Sequence, residues 1–200
     1  MKNPRIIEKS EIFKNNCSLV DTIVVPESYS RESLDADLII FVGFTKSSTN
    51  FNAYSNYCVQ RDSTNQPIAG YLIFNSSKMK ITEQKLEFNQ NLTVHEILHV
   101  LAINKRLFPI FPLNQYNETV IEKNHENKLF YRGDTLVRIS RKHFGCSTLT
   151  KLPLENEGSE GTQGNHLEAT VFGNDVMVAS SKSGYRLTKF SLAILQDSGW

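Results

Sequence analysis

The sequence is short of three things that declare a protein's class early: cysteine, charge of one sign, and long apolar runs. Only three cysteines occur, Cys17, Cys58 and Cys146. They cannot all pair within one chain, and their spacings match no zinc-ribbon or C-x-x-C pattern, so a cysteine metal site is not expected. Charge is nearly balanced: 22 basic and 21 acidic residues leave a net +1, spread along the chain. That balance gives no reason to expect nucleic acid or an anionic membrane as a partner. No apolar run approaches the roughly 20 residues that span a bilayer. The longest, Leu38 to Phe44, suits a buried strand. The start, Met1-Lys2-Asn3-Pro4-Arg5, is basic but leads into no apolar stretch, so no signal peptide is expected here. The chain is then either cytoplasmic or preceded by an export signal further upstream.

What is present is ordinary for a soluble globular protein: 40% hydrophobic and 22% charged residues in a chain of 200. That length fits one domain, or two small lobes, with a real core. Asp37 to Phe44 reads as an interior strand, and Ala69 to Phe74, after the turn signal Thr64-Asn65-Gln66-Pro67, as another. Ser18 to Val25, stopped by Pro26, reads as a first strand. Between Thr82 and Asn104 the second half is helical in period, with Val94, Ile97, Leu98 and Leu101 on one stripe. From Leu107 to Gln163 the chain is less regular. Within it Asp134 is suited to N-cap a helix over Thr135 to Phe144, with Gly145 placed as its C′ glycine. An acidic, glycine-bearing loop from Glu155 to Asn165 follows, and then a helix from Thr188 to Asp197 closed by Gly199. The expected class is α+β, with one lobe over residues 1–104 and a looser helical lobe over 105–200, together one catalytic unit. Four N-x-S/T triplets occur, at Asn16, Asn75, Asn91 and Asn117; they matter only in an exported protein.

The chemistry concentrates in His95-Glu96-Ile97-Leu98-His99. Two histidines at i and i+4 of a helix lie about 6 Å apart along its axis, on one face. Both imidazoles can therefore reach one ion at roughly 2.0–2.1 Å. Glu96 projects close by, where it can hold a water and take its proton. This is the H-E-x-x-H signature of zinc peptidases.

A catalytic zinc needs a third protein ligand and an open position. The shortest familiar spacing puts a histidine six residues after His99, where this chain has Lys105. His125, His143 and His166 remain, with Glu122 or Glu126 as carboxylate alternatives. His125 lies in a polar run, and His143 sits near a helix end, where histidine serves structure. His166 follows the glycine-bearing loop and precedes Leu167-Glu168-Ala169, a setting unusual for a surface histidine. The residues alone leave the choice open.

The wider pattern resembles the leishmanolysin family of metzincin peptidases. Tyr57-Cys58-Val59-Gln60 leading into Pro67-Ile68-Ala69-Gly70-Tyr71 is similar to the family's strands before the active-site helix. Thr93 to Leu101 resembles that helix, and His143-Phe144-Gly145-Cys146-Ser147-Thr148-Leu149 its Y-G-C-x-T-L stretch. Leu154 to His166 resembles the loop that ends at the third zinc histidine. Asn174-Asp175-Val176-Met177-Val178-Ala179 is similar to the D-E-L-M-A-P turn, and Ala193 to Trp200 to the A-I-F-Q-D-L-G-F helix end. The likeness runs in order over about residues 17–200.

The resemblance implies a metzincin-like zincin fold, with a twisted mixed β-sheet and an active-site helix. It implies one Zn2+ per chain on His95, His99 and His166, Glu96 as catalytic base and Met177 as the Met-turn methionine. Tyr185, shortly after that turn, becomes a candidate for oxyanion support, and the strand Ala69 to Phe74 a candidate edge for aligning substrate. Cys17 and Cys58 become the expected disulfide pair, and Cys146 is expected free, its family partner lying in a following domain. The implied function is endopeptidase cleavage of protein or peptide substrates, in an extracellular or cell-surface setting linked to cell adhesion. Any membrane association would come through regions outside this chain. A second reading, a catalytically weak or inactive zinc-stabilised binding module on the same scaffold, keeps the ligands but has no need of Glu96. Ala102 departs from the family, which has glycine after the zinc helix. If that turn is left-handed, alanine costs on the order of 1–2 kcal/mol there.

Overall fold

The computed structural model describes residues 6–7, 34–179 and 184–200. The strand expected at Ser18 to Val25 lies outside them, as do Cys17 and Asn16. The chain forms two compact units, Met1–Asn89 with His99–Leu101, and Gln90–Leu98 with Ala102–Trp200.

In the first unit a short antiparallel pair, β1 (Ile6–Ile7) and β2 (Leu34–Asp35), precedes the main sheet. That sheet comprises β3 (Ile39–Thr45), β4 (Ala53–Gln60) and β5 (Pro67–Asn75) in the order β3-β5-β4. Strand β3 runs parallel to β5, and β4 antiparallel to it, so the sheet is mixed. Eight of the nine β5 residues are buried, as the unbroken apolar run requires of a central strand. Pro67 takes its first position, where a missing N–H is tolerated. The expectation that Ala69 to Phe74 forms a sheet edge is therefore corrected: the strand is hydrogen-bonded on both sides, and among the described residues the outer strands are β3 and β4. The reading of Asp37 to Phe44 as an interior strand is corrected with it, for β3 flanks β5 and leaves Val42 and Phe44 exposed. The β4 register slips between Tyr57 and Val59, leaving Cys58 at the irregularity.

Gly70 of β5 is needed for a close approach. A Cβ there would clash with Val100 and stand 2.8 Å from the Asn56 carbonyl oxygen. Asn75, at the end of β5, is fully buried and acts as a staple. Its amide donates to the carbonyls of Ser47 and Phe51 and its oxygen accepts from the N–H groups of Ser47 and Ser77. The N-x-S triplet at Asn75 is thus a structural feature, with its amide inside the fold.

Helix α1 spans Leu86–Leu101, entered through a 3-10 turn at Glu83–Lys85. It begins upstream of the apolar stripe, and Glu96 and His99 are buried on it alongside Leu98 and Val100. Its end closes by N–H bonds from Ala102 (3.0 Å) and Ile103 (2.8 Å) to the Leu98 carbonyl. Ala102 is fully buried and is not among the residues with positive φ. The anticipated left-handed strain at Ala102 does not arise.

The second unit contains a small antiparallel sheet, β6 (Ile121–Lys123), β7 (Leu129–Tyr131) and β8 (Leu152–Pro153), within the stretch that reads as irregular. Strands of two or three residues are too short to show a period. Asn124 to Lys128 forms the β6–β7 hairpin tip, with Asn127 at φ +65°. Among its described residues the unit also holds a 3-10 turn at Phe108–Ile110 and the helices α2 (Asp134–Phe144), the single turn α3 (Ala169–Phe172) and α4 (Lys189–Asp197). Gly145 ends α2 in the left-handed conformation, as its position in the sequence implies. Thr188 caps α4 by accepting the Phe190 N–H through its hydroxyl.

The cap of α2 differs from expectation. Asp134 lies inside the helix and accepts from the Gln115 N–H instead (2.7 Å). The N-terminal N–H groups of Thr135 and Leu136 are met by Asp197, at the far end of α4, at 2.8 and 3.2 Å. Tyr131 donates to the same carboxylate (3.3 Å); burial first, and then the Asp197 charge, pushes its phenol well above its usual value. A carboxylate at a helix N-terminus meets both the orphan donors and the dipole. Asp197→Ala is expected to destabilise the protein by about 1–3 kcal/mol, measured by denaturant midpoint. A midpoint unchanged from wild type would rule out this cap.

Candidate metal centre

Helix α1 brings His95 and His99 to one face, one turn apart, with Glu96 between them and only 4% exposed. The third histidine arrives on the loop after β8. Its ends are tied together: Glu155 N–H donates to the His166 carbonyl (2.9 Å) and Gly164 N–H to the Glu155 carbonyl (2.8 Å). Leu167, next in the chain, bridges to both Leu154 and Val178. Asn165 accepts the Lys105 N–H (2.9 Å). Lys105, where the shorter spacing has a histidine, thus serves to fasten the loop that carries His166.

One ring nitrogen from each of His95, His99 and His166 lies within 4.8 Å of the others. The tautomers of two rings follow from their neighbours. His95 Nδ1 lies 2.7 Å from the Val176 carbonyl oxygen, and His166 Nδ1 lies 3.0 Å from that of Thr162. A carbonyl only accepts, so each Nδ1 carries the proton and each Nε2 presents a lone pair. These two Nε2 atoms face each other at 3.2 Å. Two lone pairs at this distance can both reach one cation. Burial, and then the neighbouring His95, pushes His166 down from 6.5 to about 4, which favours its neutral ring. Three convergent imidazoles, two of them with the second nitrogen held by a backbone carbonyl, make a donor set and outer support that suit zinc.

The turn at residues 175–178 supplies that support. The Val176 carbonyl holds His95, while the Met177 carbonyl accepts the Leu167 N–H at 2.9 Å. Met177 is fully buried. Asp175, also fully buried, accepts from Met177 N–H at 2.8 Å and from Ser191 and Thr188 of the last helix segment. Sequence reasoning gave Asp175 no role of its own, because its partners Thr188 and Ser191 lie 13 and 16 residues further on and leave no local pattern. Half-buried Tyr185 is held through its carbonyl by the Asn91 amide of α1 (3.0 Å).

The other candidate ligands sit elsewhere. His125 is on the hairpin tip, 90% exposed beside Glu126. Glu126 also pairs with Lys128, and Glu122 pairs with Arg132 and Lys151. His143 is exposed on α2, with Lys189 Nζ 2.9 Å from its Nδ1 and its ring against Phe144 and Phe190. Cys58 is disulfide-bonded, and Cys146 is free and half-buried.

A mixed sheet, an H-E-x-x-H helix and a third histidine held beside a methionine turn define an α+β, metzincin-like scaffold. Comparison with known families agrees, for the leishmanolysin family profile matches residues 3–200. The chain belongs to the leishmanolysin family of metallopeptidases. It is 28% identical over 177 residues to a leishmanolysin homolog of Crithidia fasciculata, covering 88% of this chain and 26% of that protein. A leishmanolysin-like peptidase of Drosophila melanogaster is 24% identical over 206 residues, covering 83% of this chain and 30% of its own. The ciliated left-right organizer metallopeptidase of Xenopus laevis is 28% identical over 159 residues, 74% of this chain and 22% of its own. The chain therefore spans under a third of the length of these relatives.

Proposed function

We propose that this chain is a zinc-dependent endopeptidase that hydrolyses peptide bonds in protein substrates, with His95, His99 and His166 holding one zinc ion and Glu96 as general base. The observation that carries this reading is the pair of Nε2 atoms of His95 and His166, 3.2 Å apart, with both Nδ1 protons committed to carbonyls. When bound, zinc supplies Lewis-acid activation of a water and of the scissile carbonyl. Glu96, 4% exposed on the same helical turn, takes the water's proton and passes it to the leaving amine. The carbonyls of Val176 and Thr162 keep the two rings in their ligating tautomer. Met177 offers an adaptable apolar floor. Tyr185 is the candidate for oxyanion support.

Cys58 pairs with Cys17 in this reading, which suits an oxidising, extracellular or cell-surface compartment. Membrane association would come through regions outside this chain, and among the described residues no helix is long and apolar enough to cross a membrane.

The direct test is metal content with activity. One zinc per chain, peptide cleavage abolished by a chelator and restored by added zinc, is the expected result. Cleavage that survives complete metal removal would end the metallopeptidase assignment. Zinc uptake with no cleavage of any peptide in a diverse library would favour the metal-stabilised binding module instead.

A further inference from the structure

We propose that Asp175 is a positioning residue of the metal centre, setting through the turn at 175–178 the orientation of His95 and the seat of His166. The inference rests on the zinc reading above and deepens it. Asp175 is fully buried and touches none of the three imidazoles in the contacts that define it. A carboxylate is retained in such a place only when its lone pairs are filled. Here each oxygen meets one backbone N–H and one hydroxyl. Oδ1 accepts from the Met177 N–H (2.8 Å) and the Ser191 hydroxyl, while Oδ2 accepts from the Ser191 N–H (3.4 Å) and the Thr188 hydroxyl.

The two backbone donors belong to different elements, the turn and α4, so the carboxylate fixes one to the other. The consequences run outward from the turn in two directions. The Val176 carbonyl receives the His95 Nδ1 proton at 2.7 Å. The Met177 carbonyl receives the Leu167 N–H at 2.9 Å, one residue from His166. A displaced turn therefore disturbs two ligands that reach the site from separate parts of the chain.

The identity of the residue matters for a simple reason. Both oxygens face a backbone N–H that cannot rotate away. An asparagine, whichever way its amide flips, sets an NH2 against one of them. That opposes donor to donor in a buried site and shifts the turn.

Three variants of the chain separate this role from general stability: Asp175→Asn, Ser191→Ala, and Asn75→Ala, which removes the staple at the end of β5. Zinc affinity is measured by competition with a chelator, and site geometry by the visible spectrum after cobalt substitution. Asp175→Asn is expected to weaken zinc binding by about tenfold or more and to alter the cobalt spectrum. Ser191→Ala should shift both in the same direction by less. Asn75→Ala should melt earlier yet bind zinc within about twofold of wild type. Asp175→Asn with wild-type zinc affinity and spectrum overturns the proposal, as does an equal loss in Asn75→Ala. If Asp175→Asn does not fold, Ser191→Ala decides, and unchanged zinc affinity in it overturns the proposal. Wild-type protein that takes up no zinc sinks the metal reading and this one together. Normal wild-type uptake with indifferent variants sinks only the positioning role.

Discussion

Glu96→Ala is expected to lower peptide hydrolysis by roughly 10²–10⁴-fold while leaving zinc content at the wild-type level. The separation of these two readouts follows from position. Glu96 shares a helical turn with His95 and His99 but is not one of the three residues whose nitrogens converge. In the proposed mechanism its removal takes away the proton acceptor and leaves the donor set whole. Its burial, at 4% exposure, argues against a role in solvation, since a buried carboxylate has a cost that a surface residue avoids. Glu96→Gln keeps the shape and hydrogen-bonding reach, and should be almost as inactive, because an amide cannot take the proton. Hydrolysis retained by both variants would remove Glu96 from the mechanism. Loss of zinc in both would make it a structural support instead.

His166→Ala should act on the other readout. Zinc affinity should fall by more than the ~10–100-fold typical of losing an outer-sphere partner, and hydrolysis should fall with it. The comparison set matters as much as the variant. Glu122→Gln, Glu126→Gln, His125→Ala and His143→Ala should all bind zinc as wild type does. Glu122 is occupied by Arg132 and Lys151, Glu126 pairs with Lys128, and both histidines are exposed. If zinc binding survived His166→Ala and failed in Glu122→Gln, a carboxylate would be the third ligand and the peptidase would belong to a different class. The fold of the His166 variant is checked by its melting temperature, since the loop has several other ties at Glu155, Gly164, Asn165 and Leu167.

Legibility differed sharply between parts of the molecule. Strands β3 and β5 announce themselves as apolar runs, and helices α2 and α4 through their patterning and closing glycines, although the apolar run of β3 reads as interior while the structure leaves its Val42 and Phe44 exposed. Strands β6 to β8 do not, since two or three residues carry no period. The cap of α2 misled for a related reason. Asp134 is the local candidate, but Asp197 takes the role from 62 residues away, and no pattern over a short window records that. Ala102 shows the opposite case, where a departure from the family's glycine has no conformational consequence because φ is not positive there.

The same division holds at the metal centre. His95, Glu96 and His99 are legible in the sequence by itself because a helix converts spacing into geometry: four residues make one turn, and one turn makes one face. His166 was one of several candidates by residue type and stood out only through a family likeness. Its convergence with His95 is a tertiary fact, made by a loop closed on Glu155 and anchored through Asn165 and Leu167. So are the tautomers of both rings, which depend on carbonyls 81 and 4 residues away in sequence. The carboxylate of Asp175 is the furthest removed of all, because its partners belong to the last helix and its effect reaches the site only through backbone. Local spacing set the first two proposed ligands and the proposed base on one helix; long-range hydrogen bonds, which no spacing encodes, decided where the third candidate sits and which way two of the rings face.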